Sequence, residues 1–252
     1  MATGWLSEES QPDISVYAPR STPLVKAWAE AGEIRLNPAR NPADILVIAV
    51  KPQVFGQILA EAQPLCGPDT LVISVMAGWS IDRLAVVLAT RRIVRALPST
   101  PGAVGKGVTL LSCDPSISPA DLDTVRELLA PLGWVDGPMP EETLQVAMTI
   151  SGSGPAYVFH LVEALAEAGV RNGLEPELAM RLARRGVIGA GALLDGSSEP
   201  AGALREGVTS PNGVTAAALE VFMGEGGFTT LATEAIGKAV ARDQALARDT
   251  KA

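Results

Sequence analysis

The chain has 252 residues, 47% of them hydrophobic and 19% charged, with 25 glycines and 19 prolines. That is enough apolar material for one large or two modest domains, and it excludes a disordered tail or a collagen-like repeat. The formal charge of -8 argues against a nucleic-acid partner, one histidine excludes a multi-histidine metal site within the chain, and Cys66 and Cys113 write neither a disulfide framework nor a thiolate cluster. No signal-peptide pattern opens the sequence, and no uninterrupted apolar stretch approaches the ~18 residues of a membrane span, so a cytoplasmic protein is expected.

The first half alternates β-rich runs with helical segments. Residues 14–18 read as a strand, followed by Pro19-Arg20-Ser21 and a helix carrying Leu24, Val25, Trp28 and Ala31. Residues 44–50 are a nearly continuous apolar run, as suits a strand covered on both faces in a parallel sheet. Similar runs follow at 70–75, 92–97 and 107–112, with helical patterns at 53–62, 80–89 and 118–130. This is βαβ material, and right-handed crossovers would put helices on both faces of the sheet.

Residues 133–140, Gly-Trp-Val-Asp-Gly-Pro-Met-Pro, form a turn-rich stretch after which no strong strand candidate remains. Helices are expected at 141–150, 154–170, 175–194, 199–206, 213–223 and 228–247, with Ser153 placed to cap the second of them. The expected division is therefore 1–137, an α/β dinucleotide-binding domain, and 138–252, an all-helical domain. Ala164, Ala168, Gly186 and Gly189 allow close helix approach but bury little area each. Either a partner subunit completes that core, in a homodimer or larger homo-oligomer, or the helices form a compact monomeric bundle.

In a dinucleotide-binding unit a Gly-rich turn lies between the first strand and first helix, roughly 20 residues before the strand end that meets the adenosine ribose. Here that strand ends at Ala18, so the turn would fall at or before Met1. The expected α/β domain is thus N-terminally truncated, without its first strand and Gly-rich turn; alternatively, the protein never had such a turn. An NAD site favours an acidic residue at the ribose strand end, whereas this chain has Arg20, Ser21 and Thr22. Either these face a 2′-phosphate, which points to NADP(H) over NAD(H), or Arg20 is a solvated turn residue.

Several segments, in order, resemble the pyrroline-5-carboxylate reductase family: Ala49-Val50-Lys51-Pro52-Gln53, Ser74-Val75-Met76-Ala77-Gly78, Arg95-Ala96-Leu97-Pro98-Ser99-Thr100-Pro101, and Ser151-Gly152-Ser153-Gly154-Pro155-Ala156-Tyr157. Gly173-Leu174, Val208-Thr209-Ser210-Pro211-Asn212-Gly213-Val214-Thr215 and Gly226-Gly227-Phe228 continue the series. Ser99 stands where the family usually has Asn, and Asn212 where it commonly has Gly; Asn is the next residue best able to take positive φ.

The resemblance implies a Rossmann-like parallel-sheet domain, a helical dimerisation domain, and NADPH-dependent reduction of pyrroline-5-carboxylate to proline. It implies that the Thr215 hydroxyl hydrogen-bonds the substrate ring nitrogen, while Ser210, Asn212, Gly213 and Val214 offer backbone N–H groups to its carboxylate. Lys51 and Pro52 would contact the cofactor ribose or shape the nicotinamide pocket, and Ala77, Gly78, Pro98 and Ser99 would line it, chiefly as backbone. Two other readings stand beside this one: a reductase of a related cyclic imino acid, and a truncated structural paralogue with impaired cofactor binding. His160, flanked by apolar residues, reads as a packed or interface histidine and not an acid catalyst; Glu163 and Glu167 read as solvated or matched across an interface.

Overall fold

The computed structural model describes residues 2–6 and 12–249. Two compact units emerge: Met1–Gly152 together with Asp243–Ala252, and Ser153–Arg242. The first contains α1 (Ala2–Trp5), β1 (Ser15–Val16), α2 (Pro23–Glu30), β2 (Arg35–Leu36), β3 (Ile45–Ile48), α3 (Pro52–Ala62), β4 (Leu71–Ser74), α4 (Ile81–Leu88), β5 (Ile93–Pro98), β6 (Gly107–Cys113), α5 (Pro119–Leu129), β7 (Gly133–Asp136) and α6 (Glu141–Ser151).

Strands β3, β4 and β5 are parallel, as their apolar runs predict, and sit in a five-stranded sheet of order β3-β4-β5-β6-β7. The sequence reading expected a parallel sheet with crossovers, but β6 returns antiparallel to β5. The connection 99–106 is too short for a crossover, so only the antiparallel return is open to it. The turn-rich stretch at 133–140 also contains a strand that sequence reasoning missed: β7 pairs with β6 in parallel. β3 is the outer strand; among the described residues its other edge pairs with no strand, and Ile45, Leu46 and Val47 are only half-buried. β1 and β2 form a separate two-stranded parallel sheet, with Ser15 opposite Arg35.

Alternation of side chains along the strands divides the core. Val72 and Ile93 pack with Phe55, Leu84 and Leu88 on the α3–α4 side. Leu71, Ile73, Val94, Ala96 and Leu111 pack with Val125 and Leu129 of α5 on the other. A third cluster joins Leu97 and Leu110 to Leu144 of α6, which is fully buried. That cluster is why the compact unit runs on to Gly152, past the change of character near residue 137: α6 is a helix, but it packs against the sheet.

The second unit contains α7 (Gly154–Arg171), α8 (Pro176–Asp195), α9 (Ala201–Gly207) and α10 (Val214–Met223), and α11 (Phe228–Asp249) begins in it. Helices α7 and α8 pack closely, with Ala166 and Ala179 buried. Ser153 precedes α7 but makes no capping bond, because its backbone is already helical (φ -88°, ψ -23°) and a capping side chain needs an extended residue. No helix among the described residues is long and apolar enough to cross a membrane.

Candidate functional site

In the first unit the parallel run of β3, β4 and β5 brings three of the sequence-predicted pairs to one edge, because parallel strands end on the same side. Lys51 is exposed and precedes α3, whose first residue is Pro52, a position where proline's missing N–H costs nothing. Ala77 and Gly78 form the exposed turn between β4 and α4. Gly78 has φ +72°, and a Cβ built there would meet no atom within 4 Å, so backbone conformation and not crowding calls for glycine.

Pro98 ends β5 and Ser99 follows it. Ser99 is buried, and its Oγ accepts the Val108 N–H at 2.8 Å while its own N–H donates to the Val108 carbonyl at 2.9 Å. The side chain is thus tied to β6, which leaves the backbone and the hydroxyl proton as what the residue can offer. Arg20 is exposed and Ser21 half-buried in the turn between β1 and α2, where Thr22 caps α2 by accepting the Val25 N–H.

Two features of this edge escaped sequence reasoning. Trp79, directly after Gly78, is 5% exposed; its indole N–H donates to the Pro52 carbonyl at 3.4 Å, and its ring meets Phe55 edge-on at 4.9 Å. The Arg83 guanidinium lies 3.8 Å from the indole centroid. Trp79 therefore ties the Lys51–Pro52 turn to the Ala77–Gly78 turn. The second feature is Arg95, a charged residue in an otherwise apolar strand, paired with Glu141 at 2.5 Å. A lone charge inside Ile-Val-Arg-Ala-Leu-Pro was the available signal for it.

In the second unit, Ser210 to Thr215 form one tight turn into α10. Asn212 takes the left-handed conformation expected of it, with φ 56°. The Gly213 N–H is committed to the Ser210 carbonyl at 3.0 Å, and a Cβ on Gly213 would stand 3.0 Å from that same oxygen. Gly213 is thus spent on the turn itself, while the N–H groups of Val214 and Thr215, in the first turn of α10, have no partner within the helix. Ser210 and Thr215 are exposed.

His160 is 81% exposed in its side chain, with Nδ1 3.1 Å from Glu163 Oε2, so it is not packed within the chain. Glu167 pairs with Arg171 one turn along. Burial pushes both the Cys66 and the Cys113 thiol up, the opposite of what a nucleophilic cysteine needs.

Residues 141–246 match the family described as pyrroline-5-carboxylate reductase dimerisation. The chain is 35% identical over 222 residues to a pyrroline-5-carboxylate reductase of Synechocystis sp., covering 86% of this chain and 81% of that one. Among solved structures, a pyrroline-5-carboxylate reductase from Coxiella burnetii superposes with a TM-score of 0.88 at 29% identity, covering 97% of this chain and 93% of that chain. A pyrroline carboxylate reductase from Plasmodium falciparum, with NADP bound, superposes with a TM-score of 0.80 at 26% identity, covering 98% and 92%. With a Rossmann-like first unit, a helical second unit and relatives of this name along most of its length, the chain belongs to the pyrroline-5-carboxylate reductase family of oxidoreductases.

Proposed function

We propose that the chain catalyses the NADPH-dependent reduction of 1-pyrroline-5-carboxylate to L-proline, the final step of proline biosynthesis, as a homodimer or larger homo-oligomer. The observation that carries this reading is the common edge at which β3, β4 and β5 end, with Lys51–Pro52, Ala77–Gly78 and Pro98–Ser99 following them. The open, left-handed Gly78 supports a nicotinamide lying against that edge, and exposed Lys51 supports a ribose contact. Arg20 and Ser21, at the ribose strand end, suit a 2′-phosphate, which favours NADPH over NADH; the NADP bound to the Plasmodium relative agrees with that preference.

When bound, NADPH would supply the hydride to the imine carbon of the nitrogen-protonated (iminium) substrate, whose N–H proton stays on the ring nitrogen as the C=N bond becomes the C–N bond of proline. The rest is orientation and electrostatics. The Val214 and Thr215 N–H groups, with Ser210 beside them, receive the substrate carboxylate at the positive end of α10. The Thr215 hydroxyl hydrogen-bonds the ring nitrogen and keeps the C=N bond polarised toward an electrophilic carbon.

The test follows NADPH oxidation by the full chain on addition of pyrroline-5-carboxylate, with a six-membered cyclic imino acid alongside to fix ring size. Thr215→Val is expected to lower kcat about 10- to 100-fold, the cost of one hydrogen bond to a charged group, without altering the thermal midpoint. NADH is expected to be the poorer reductant, and Arg20→Ala to narrow the gap. Wild-type turnover no greater than that of Thr215→Val would overturn the proposal.

A further inference from the structure

Arg95 lies in the middle of β5 at 4% exposure, on the strand face shared with Ile93 and Leu97. Its Nη1 donates to Glu141 Oε1 at 2.5 Å, while its buried Nε has no hydrogen-bond partner. The Glu141 carboxylate has a second duty. Its oxygens lie 3.2 and 3.3 Å from the Ile81 N–H, which donates to them, and Ile81 opens α4.

An ion pair with the arginine buried and the carboxylate partly exposed contributes little net stability, because the desolvation of Arg95 offsets much of the attraction, and an unpaired Nε adds a further cost. Its value lies in where it holds the chain. The turn Ala77-Gly78-Trp79-Ser80 is pinned along its length. Trp79 is bonded to Pro52, the Ser80 hydroxyl caps α4 by accepting the Arg83 N–H at 3.3 Å, and the next amide, Ile81, is fastened to Glu141. Since Arg95 belongs to β5 and Glu141 to α6, the pair ties the start of α4 to the neighbouring strand and to the helix packed beneath it.

We propose that Arg95 and Glu141 are positioning residues that hold the β4–α4 turn, and with it the Ala77–Gly78 backbone, in the conformation that receives the cofactor. This rests on the proposed site for NADPH at that turn. The pair would act on cofactor affinity and leave substrate affinity alone.

The deciding variant is the double substitution Arg95→Met with Glu141→Leu, which removes both charges and strands neither. Four quantities are measured: thermal midpoint, hydrogen exchange at the Ile81 amide, KM for NADPH, and KM for the imino acid with kcat. The expected result is a midpoint within a few degrees of wild type and Ile81 exchange faster by about tenfold or more. KM for NADPH should rise about fivefold or more, with kcat and imino-acid KM within about twofold. Glu141→Gln, which keeps an acceptor for Ile81 but loses the charge, should fall between, with NADPH KM raised about two- to threefold.

Wild-type NADPH KM in the double variant would overturn the proposal, as would losses in kcat and both KM values that merely follow the unfolded fraction. If the double variant does not fold, Glu141→Gln decides, and an unchanged NADPH KM there overturns it. Ile81 exchange is read without cofactor or substrate. Unchanged exchange counts against the clamp, whereas a wild-type chain that oxidises no NADPH counts against the proposed function.

Discussion

The two units bury their apolar residues on different terms. Among the described residues, every buried hydrophobic side chain lies in the first unit except Ala166 and Ala179. The first unit closes Phe55, Ile73, Leu84, Leu111 and Leu129 between sheet and helices, whereas the second leaves Phe159, Leu182, Ile188 and Leu193 more than half exposed. A groove between α7 and α8, lined by Leu165, Gly169, Leu182 and Gly186, is equally apolar. A unit whose buried residues, among those described, are alanines leaves its apolar side chains uncovered within one chain, and residues 141–246 match a family described by dimerisation, which fits the homo-oligomer proposed above. The first unit carries its core within one chain; the proposed homo-oligomer would supply the second with what it lacks.

The largest effect should come from cutting into the self-sufficient core. Leu111→Ala removes a fully buried side chain and should cost about 2–5 kcal/mol of unfolding free energy in denaturant titration, equally at low and high protein concentration. Leu182→Asp tests the other unit. It should leave the first unit folded, weaken self-association about 100-fold or more in sedimentation analysis, and remove any dependence of the midpoint on concentration. Unchanged sedimentation for Leu182→Asp would break the comparison.

A smaller effect is expected at Gly78. Gly78→Ala forces a side chain into left-handed backbone and should cost about 1 kcal/mol, together with a higher KM for NADPH. The smallest concerns pH. Burial raises the Asp114 carboxyl, but hydrogen bonds from Ser116 and the Arg91 guanidinium outweigh it and hold the group below its ordinary value of 3.8. A carboxyl depressed on folding contributes stability in full at neutral pH, and that contribution is lost as pH falls below the ordinary value and through the folded one. Asp114→Asn should therefore lower the midpoint slightly at pH 7 and lessen its fall as pH drops below about 4. The loss should appear in the unfolding of the first unit.

How much of this was legible in the sequence depended on whether the signal was local. Ile45 to Ile48 and Leu71 to Ser74 are apolar enough to declare parallel strands without help, though only the second is buried throughout; β3, on the outside of the sheet, is half-buried. Helices α6 to α11 begin and end within a few residues of their Gly, Pro and Asn markers. Asn212 announced its positive φ. β7 was hidden because Gly133 opens it and Gly137 follows it with turn chemistry, and only pairing with β6 makes it a strand. The boundary at Gly152 depends on Leu144 meeting Leu97 and Leu110, a contact between distant residues that no window contains. Trp79 and Glu141 were missed for the same reason: each earns its role from a partner 27 or 60 positions away.

The outer strand β3 has a consequence for handling the protein. Its apolar, half-buried residues and its row of backbone groups facing away from β4 form a template onto which a strand from another molecule can add. Such growth, in which the β3 edge takes up a different strand of the next molecule, is head-to-tail, has no closed symmetry, and is driven by backbone pairing that salt does not screen. Turbidity on concentration should thus yield to a lysine on that strand sooner than to any change of buffer, and solutions of the protein will cloud at this edge while both units remain folded.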